Sequence, residues 1–249
     1  MAERPGSYPP LDVLKPVADN LWIVDSGPFR VAGIIPVPVR MTVVRMRSGE
    51  MLLHSPTRWT GLLQRDIETL GPVRHLVAPN PFHWSFVRAW QSHCAGARVW
   101  AAEGTRNRIL VRLKGPRIDA ELAHAPPREW ADELDMEMIR GRVFRELALF
   151  HRASRTAILT DLVVNLDPEK LPYWRRSGVS AVGSLAPKGR APVYARIAYR
   201  MNLREAAPAA RRVIAWNPAR VIFSHGAWYQ RDGAARLALS LAWLTGAER

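Results

Sequence analysis

Repeatedly along this chain, a short apolar run of the length of one buried strand ends at or close to a histidine or an aspartate. Residues 51–53 (MLL) stop at His54, and residues 75–78 (HLVA) stop at Pro79, Asn80 and Pro81 with His83 just beyond. Residues 145–150 lead into His151, residues 157–160 (AILT) into Asp161, and residues 220–224 (RVIFS) into His225 and Gly226. Runs this short, bounded by proline, glycine and polar residues, read as strands rather than helices. Strands that are neighbours in one layered α/β architecture bring their ends together, and that edge is where ligands bind.

The stretch 71–90 (GPVRHLVAPNPFHWSFVRAW) is the centre of this pattern. Asn80 suits a helix N-cap with Pro81 at the first helical position, and Phe82, Phe86, Val87 and Trp90 follow at helical spacing. His83 then falls in a first helical turn beside a strand end. Upstream, residues 21–25 and 41–47 read as strands, residues 33–38 as a turn-rich crossing, and Ser48, Gly49 and Glu50 as a hairpin turn into residues 51–53. Ser55, Pro56 and Thr57 offer helix-start chemistry before an apolar face of Trp59, Leu62, Leu63, Ile67 and Leu70.

Downstream, residues 98–102 predict a strand, 104–113 a basic helix or loop, and 126–137 an acidic surface excursion. Residues 145–151 and 156–161 form a predicted strand pair, and residues 162–184, with Tyr173 and Trp174, a loop. Residues 193–216 are helical in pattern with an interruption at Pro208, and 232–244 make a closing amphipathic helix. The expected organisation is a leader over residues 1–20 and one domain over 21–249.

Imidazole nitrogen and carboxylate oxygen ligate zinc, iron or manganese, so His83, His151, Asp161 and His225 are a candidate set for one divalent ion, with Asp161 and His83 as catalytic groups. The alternative for the same residues is a hydrogen-bonded polar cluster. Asn80 and His54 are candidates for the supporting shell or a further ligand, although Asn80 also suits a cap and His54 a buried structural histidine. Trp84 and Trp228 lie close to these histidines in sequence, as pocket walls or as packing. His93 beside Cys94 has nothing to orient it as a nucleophile pair.

The order of elements, with FHRASRTAILTD at 150–161 and NPARVIFSHG at 217–226, resembles the metallo-β-lactamase superfamily. The resemblance implies an α/β fold, a four-layer αββα sandwich with its site at one edge of the two sheets. It assigns His151, Asp161 and His225 to that family's later metal ligands. The family's His-x-His-x-Asp-His loop is missing: PNPFHWSF supplies Asn80 and His83, and MLLHSP carries His54 where an aspartate is usual. A divergent branch with a remodelled, single-metal hydrolase site follows, acting on a small molecule; a binding protein that kept the fold without the chemistry is the alternative.

The formal charge of +14 comes from 36 basic residues, and the stretches 105–117 and 170–204 contain no acid. Such faces attract phosphates, nucleic acid or anionic lipid, or are simply solvated. The single cysteine excludes an internal disulfide and a cysteine metal cluster, and with no secretion signal or membrane-length apolar run the expected location is cytoplasmic.

Overall fold

The computed structural model describes residues 7–31, 35–171, 183–187 and 189–246. Strands β1 (Lys15–Ala18), β2 (Leu21–Val31), β3 (Ile35–Arg45), β4 (Met51–His54), β5 (Val73–Ala78), β6 (Arg98–Ala102) and β7 (Ala120–Leu122) make one sheet in sequence order. Its first four strands are antiparallel and β4 to β7 run parallel. The helices α1 (Gly61–Glu68), α2 (Val87–His93) and α3 (Ile109–Lys114) follow β4, β5 and β6. Strands β8 (Leu134–Arg140), β9 (Arg145–His151), β10 (Thr156–Ile158) and β12 (Arg220–Ile222) form a second sheet, and β11 (Val164–Asn165) pairs with β13 (His225–Gly226). Helices α4 (Val193–Arg200), α5 (Leu203–Ala215) and α6 (Gly233–Thr245) belong to the second half.

The layering follows from side-chain alternation. Along β4, Met51 and Leu53 face α1 and α2 while Leu52 faces the other sheet; along β9, Leu147 and Leu149 face inward while Ala148 and Phe150 meet α4 to α6. Leu21, Val44, Val77, Trp100, Leu134, Leu149, Ile158 and Ile222 fill the space between the sheets. Helices therefore cover both outer faces, giving four layers, α-β-β-α, as the resemblance implied.

Several local expectations are corrected. β1 lies inside the segment expected as a leader, tied down by Lys15 to Asp25 at 2.8 Å. The turn-rich crossing is largely β3, whose residues 35–41 pair with β2 but not with β4 and so tolerate Pro36 and Pro38. Helix α1 is capped by Thr60, whose hydroxyl accepts from Leu63 N–H at 3.2 Å, so Ser55 is free for another task. The acidic excursion runs into β8, whose first four residues it contains, because Leu134, Met138 and Ile139 reach the cores on either side of the sheet. The helical stretch breaks at Met201 and Asn202, while Pro208 sits inside α5, held by the buried Ala206, Ala207, Ala209 and Ala210. Tyr173 and Trp174 lie outside the described residues.

Candidate metal centre

Four chain segments deliver the site, each just past a strand. Ser55 follows β4, Asn80 and His83 follow β5, Thr160 and Asp161 follow β10, and His225 follows β12. His83 Nε2 lies 3.3 Å from Asp161 Oδ2, His225 Nε2 lies 3.1 Å from Asp161 Oδ1, and the two Nε2 atoms are 3.3 Å apart. One ligand atom from each of the three residues falls within 4.8 Å of the other two.

Each of the three side chains is oriented from behind. Asn80 Oδ1 accepts from the N–H groups of Phe82 and His83 at 2.8 and 3.0 Å, which is the expected capping, although regular helix begins only at Val87. Its Nδ2 donates to Thr160 Oγ1 at 3.0 Å and to Asp161 Oδ2 at 2.8 Å, so one amide ties the His83 turn to the Asp161 loop. Buried Glu146 accepts the N–H groups of Thr160, Asp161 and Leu162 at 2.7, 2.8 and 2.9 Å. Burial and the nearby Asp161 charge push the Glu146 carboxyl up to about 8, with those N–H groups acting the other way.

His225 donates Nδ1–H to Pro38 O at 2.6 Å. Arg40, buried and paired with Asp25 at 2.6 Å, donates to Phe223 O and Gly226 O at 3.0 and 2.7 Å and so clamps the backbone around that histidine. Gly226 has φ +97°, and a Cβ there would stand 2.0 Å from Asn165 O, so only glycine lets β13 meet β11 at this point. His83 Nδ1 lies 2.7 Å from Ser55 Oγ, and Ser55 holds φ 54° with Ser224 Oγ 3.3 Å from its hydroxyl.

These contacts test whether the residues fit a metal ion. The Pro38 carbonyl only accepts, so a neutral His225 presents a bare Nε2 lone pair to a carboxylate oxygen 3.1 Å away. Two electron-rich atoms at that distance repel unless a proton or a cation lies between them. Burial lowers the basicity of His225, but its hydrogen bond to Asp161 and that residue's charge outweigh burial and raise it. Burial likewise raises Asp161, yet His83 and His225 hold it well below the usual carboxylate range. Two imidazole nitrogens and one carboxylate oxygen, all anchored from outside, suit a divalent ion in place of that proton.

His151 is corrected. It ends β9 at the hairpin turn, paired with Thr156, while Asp161 lies beyond the opposite end of β10. Its Nδ1 engages Ser154 Oγ at 2.8 Å. His54 is buried, and its Nε2 has no hydrogen-bond partner among the described residues; burial, with His83 nearby, pushes its pKa down to about 3. Trp84 packs against the outer core of the first sheet, and Trp228 against the cores on both faces of the second. Phe82, next to His83 in the chain, stacks on Phe144 at 4.9 Å, and Tyr194 lies near enough to Asp161 for its hydroxyl to be raised by burial and by that charge. Cys94 is buried, with its thiol pushed up to about 12, and His93 stacks on Trp59 at 3.5 Å, so neither forms a nucleophile pair.

Sequence reasoning missed Ser55, Glu146 and Ser224. Ser55 had a visible signal, directly following the run that ends at His54; Glu146 had none, because a carboxylate within an apolar strand acquires its meaning only from the N–H groups opposite.

The sequence profile described as Domain of unknown function (DUF4336) matches residues 18–182. No curated protein matches the chain. Among solved structures, it is similar to a metallo-β-lactamase from Pontibacter korlensis, with 17% identity, TM-score 0.61, and coverage of 93% of this chain and 97% of that one. It is also similar to the metallo-β-lactamase FIM-1 from Pseudomonas aeruginosa in its mono-zinc form, with 15% identity, TM-score 0.62, and coverage of 98% and 99%. A metallo-β-lactamase from Hirschia baltica matches at 12% identity and TM-score 0.58, over 93% and 96%. These likenesses establish the metallo-β-lactamase-like α/β fold of the chain.

Proposed function

We propose, from the premise that this chain belongs to the DUF4336 family and has a metallo-β-lactamase-like fold, that it is a single-metal hydrolase of a small molecule. His83, Asp161 and His225 would hold the ion, with zinc, iron and manganese as the suitable divalent metals. The observation that carries this is the convergence of two Nε2 atoms on one carboxylate while both Nδ1 atoms are engaged elsewhere.

Such an ion supplies Lewis acidity, polarising a carbonyl or phosphoryl oxygen and making water acidic enough to attack near neutral pH. Asp161, held well below the usual carboxylate range, is a poor proton acceptor at neutral pH and serves as a ligand kept in place by Asn80 Nδ2. The Ser55 hydroxyl can either donate to His83 Nδ1 or accept from it, so the ring can present Nε2 with or without a proton. Phe82 and Tyr194 give the substrate an aromatic border.

The test is to strip the purified protein with chelator, refill it with zinc, iron(II) or manganese, and measure metal content, thermal stability and turnover of ester, thioester, amide and phosphodiester probes. One equivalent bound, stabilisation lost in His83→Ala and His225→Ala, and metal-dependent cleavage of one probe class are expected. Absence of stoichiometric uptake overturns the proposal; uptake without turnover of any class points instead to a metal-holding binding protein.

A further inference from the structure

Helix α3 turns its apolar side chains outward. Ile109, Leu110 and Leu113 are 73%, 61% and 70% exposed, while Val111 and nearby Ile118 are buried in the outer core and anchor the segment. At roughly 100° per residue, Ile109, Leu113 and Leu110 share one outward arc of about 100°, with Arg112 on one flank, Lys114 on the other and Val111 behind. An exposed aliphatic arc costs hydration free energy in water and marks a surface that meets something.

The charge carried by the segment itself has one sign, with Asp119 and Glu121 meeting only Arg117 and the Arg106 backbone at its two ends. Residues 105–117 contain no acid. Among the described residues, no carboxylate pairs with Arg108, Arg112 or Lys114. Arg108 stacks over Phe82 at 4.7 Å, and Phe82, 45% exposed, is the residue before His83, so the patch runs to the edge of the candidate metal centre.

We propose that α3 docks the protein onto an anionic lipid surface, with Ile109, Leu110 and Leu113 entering the headgroup–acyl boundary and Arg108, Arg112 and Lys114 meeting lipid phosphates. Aliphatic tips flanked by cations fit that environment on both counts. Nucleic acid answers the charge but has no use for three exposed aliphatic side chains, and single strands are gripped by aromatic stacking that this arc does not offer. A second copy of the same face brings like charges together. No ion in the candidate metal centre is needed for this docking, so it stands or falls separately from the hydrolase proposal.

The experiment is co-sedimentation of the purified full chain with vesicles of phosphatidylcholine alone and of phosphatidylcholine with phosphatidylglycerol at 0.1 M and 0.5 M salt, beside Ile109→Asp/Leu113→Asp and Arg112→Gln/Lys114→Gln. Circular dichroism melts verify that each variant is folded, as expected for changes at exposed positions. Binding to the anionic vesicles alone, weakened at high salt, and a loss of at least about tenfold in partitioning for each double variant are expected. Absence of vesicle binding, or an Ile109→Asp/Leu113→Asp variant that binds like the parent, overturns the proposal. Tighter binding to duplex DNA or single-stranded RNA than to vesicles, or a dimer in sedimentation velocity that the same variant dissolves, assigns the surface to those occupants instead and overturns it equally.

Discussion

The Nε2 atoms of His83 and His225 stand 3.3 Å apart, brought together from positions 142 residues distant in sequence, with Asp161 bridging them on one side. Neither ring can swing away, since Ser55 holds one Nδ1 and Pro38 O the other. Preorganised lone pairs of this kind make each anchoring contact measurable through its effect on uptake of the proposed ion.

Ser55→Ala removes the hydroxyl 2.7 Å from His83 Nδ1 and leaves the backbone path of β4 intact. Metal affinity is expected to fall by about 10–100-fold, read by competition with a chromophoric chelator. An unchanged affinity would mean that the Asn80 cap alone fixes the ring.

Asn80→Asp keeps the oxygen that accepts from Phe82 and His83, but it replaces the donor 2.8 Å from Asp161 with a second negative charge. Without metal, stability should drop by about 1–3 kcal/mol. Because the added carboxylate faces the same ion, loading with zinc should recover part of that loss, and denaturant melts of both forms measure it.

Glu146→Gln turns an acceptor of three backbone N–H groups into a side chain with one amide facing a donor. Above about pH 8, where the Glu146 carboxyl is ionised, destabilisation of at least about 2 kcal/mol is expected, and it should shrink toward neutral pH as the carboxyl takes up its proton. The Asp161 loop also loosens, so amide exchange at Thr160 and Leu162 should accelerate more than exchange in α6.

The metal-free protein should show a stability maximum near pH 6.5. His54 is neutral in the fold, with a pKa of about 3 against an ordinary value of 6.5, so the unfolded chain binds the extra proton and stability falls as pH drops from 6.5 toward 3. His225 is raised in the fold; its contribution is full below 6.5 and is lost as pH rises through its folded value. Melting temperatures across this range test both limbs, and His54→Phe should flatten the acid limb.

His151→Ala should leave metal uptake within about twofold of the parent, because its ring serves the β9–β10 turn through Ser154. Metal loss in this variant that matched His225→Ala would place His151 back in the centre.

The individual strands were legible because strand periodicity is local: MLLHS, HLVAP, ELALF and RVIF each declare a buried strand through a few adjacent side chains, while their four-layer arrangement was only what the resemblance to the metallo-β-lactamase superfamily implied. The positions of His83, Asp161 and His225 at strand ends were legible for the same reason. Their partners were not. Glu146 sits in an apolar strand, and Ser55 looked like a helix start until Thr60 took the cap.

The strands β2, β4, β5, β6, β9, β10 and β12, and the chemistry available at their ends, were decided by the sequence alone, through short-range patterns of burial and capping, whereas β1, β7 and β8 were not. Which ends meet was decided only by the fold. His151 and Asp161 flank the same strand pair, yet ten residues of hairpin set them at opposite ends of it, whereas Arg40 draws the His225 segment in through two carbonyl groups. Distance along the chain carries no information about that choice, because sheet register and a buried ion pair fix it from elsewhere in the molecule.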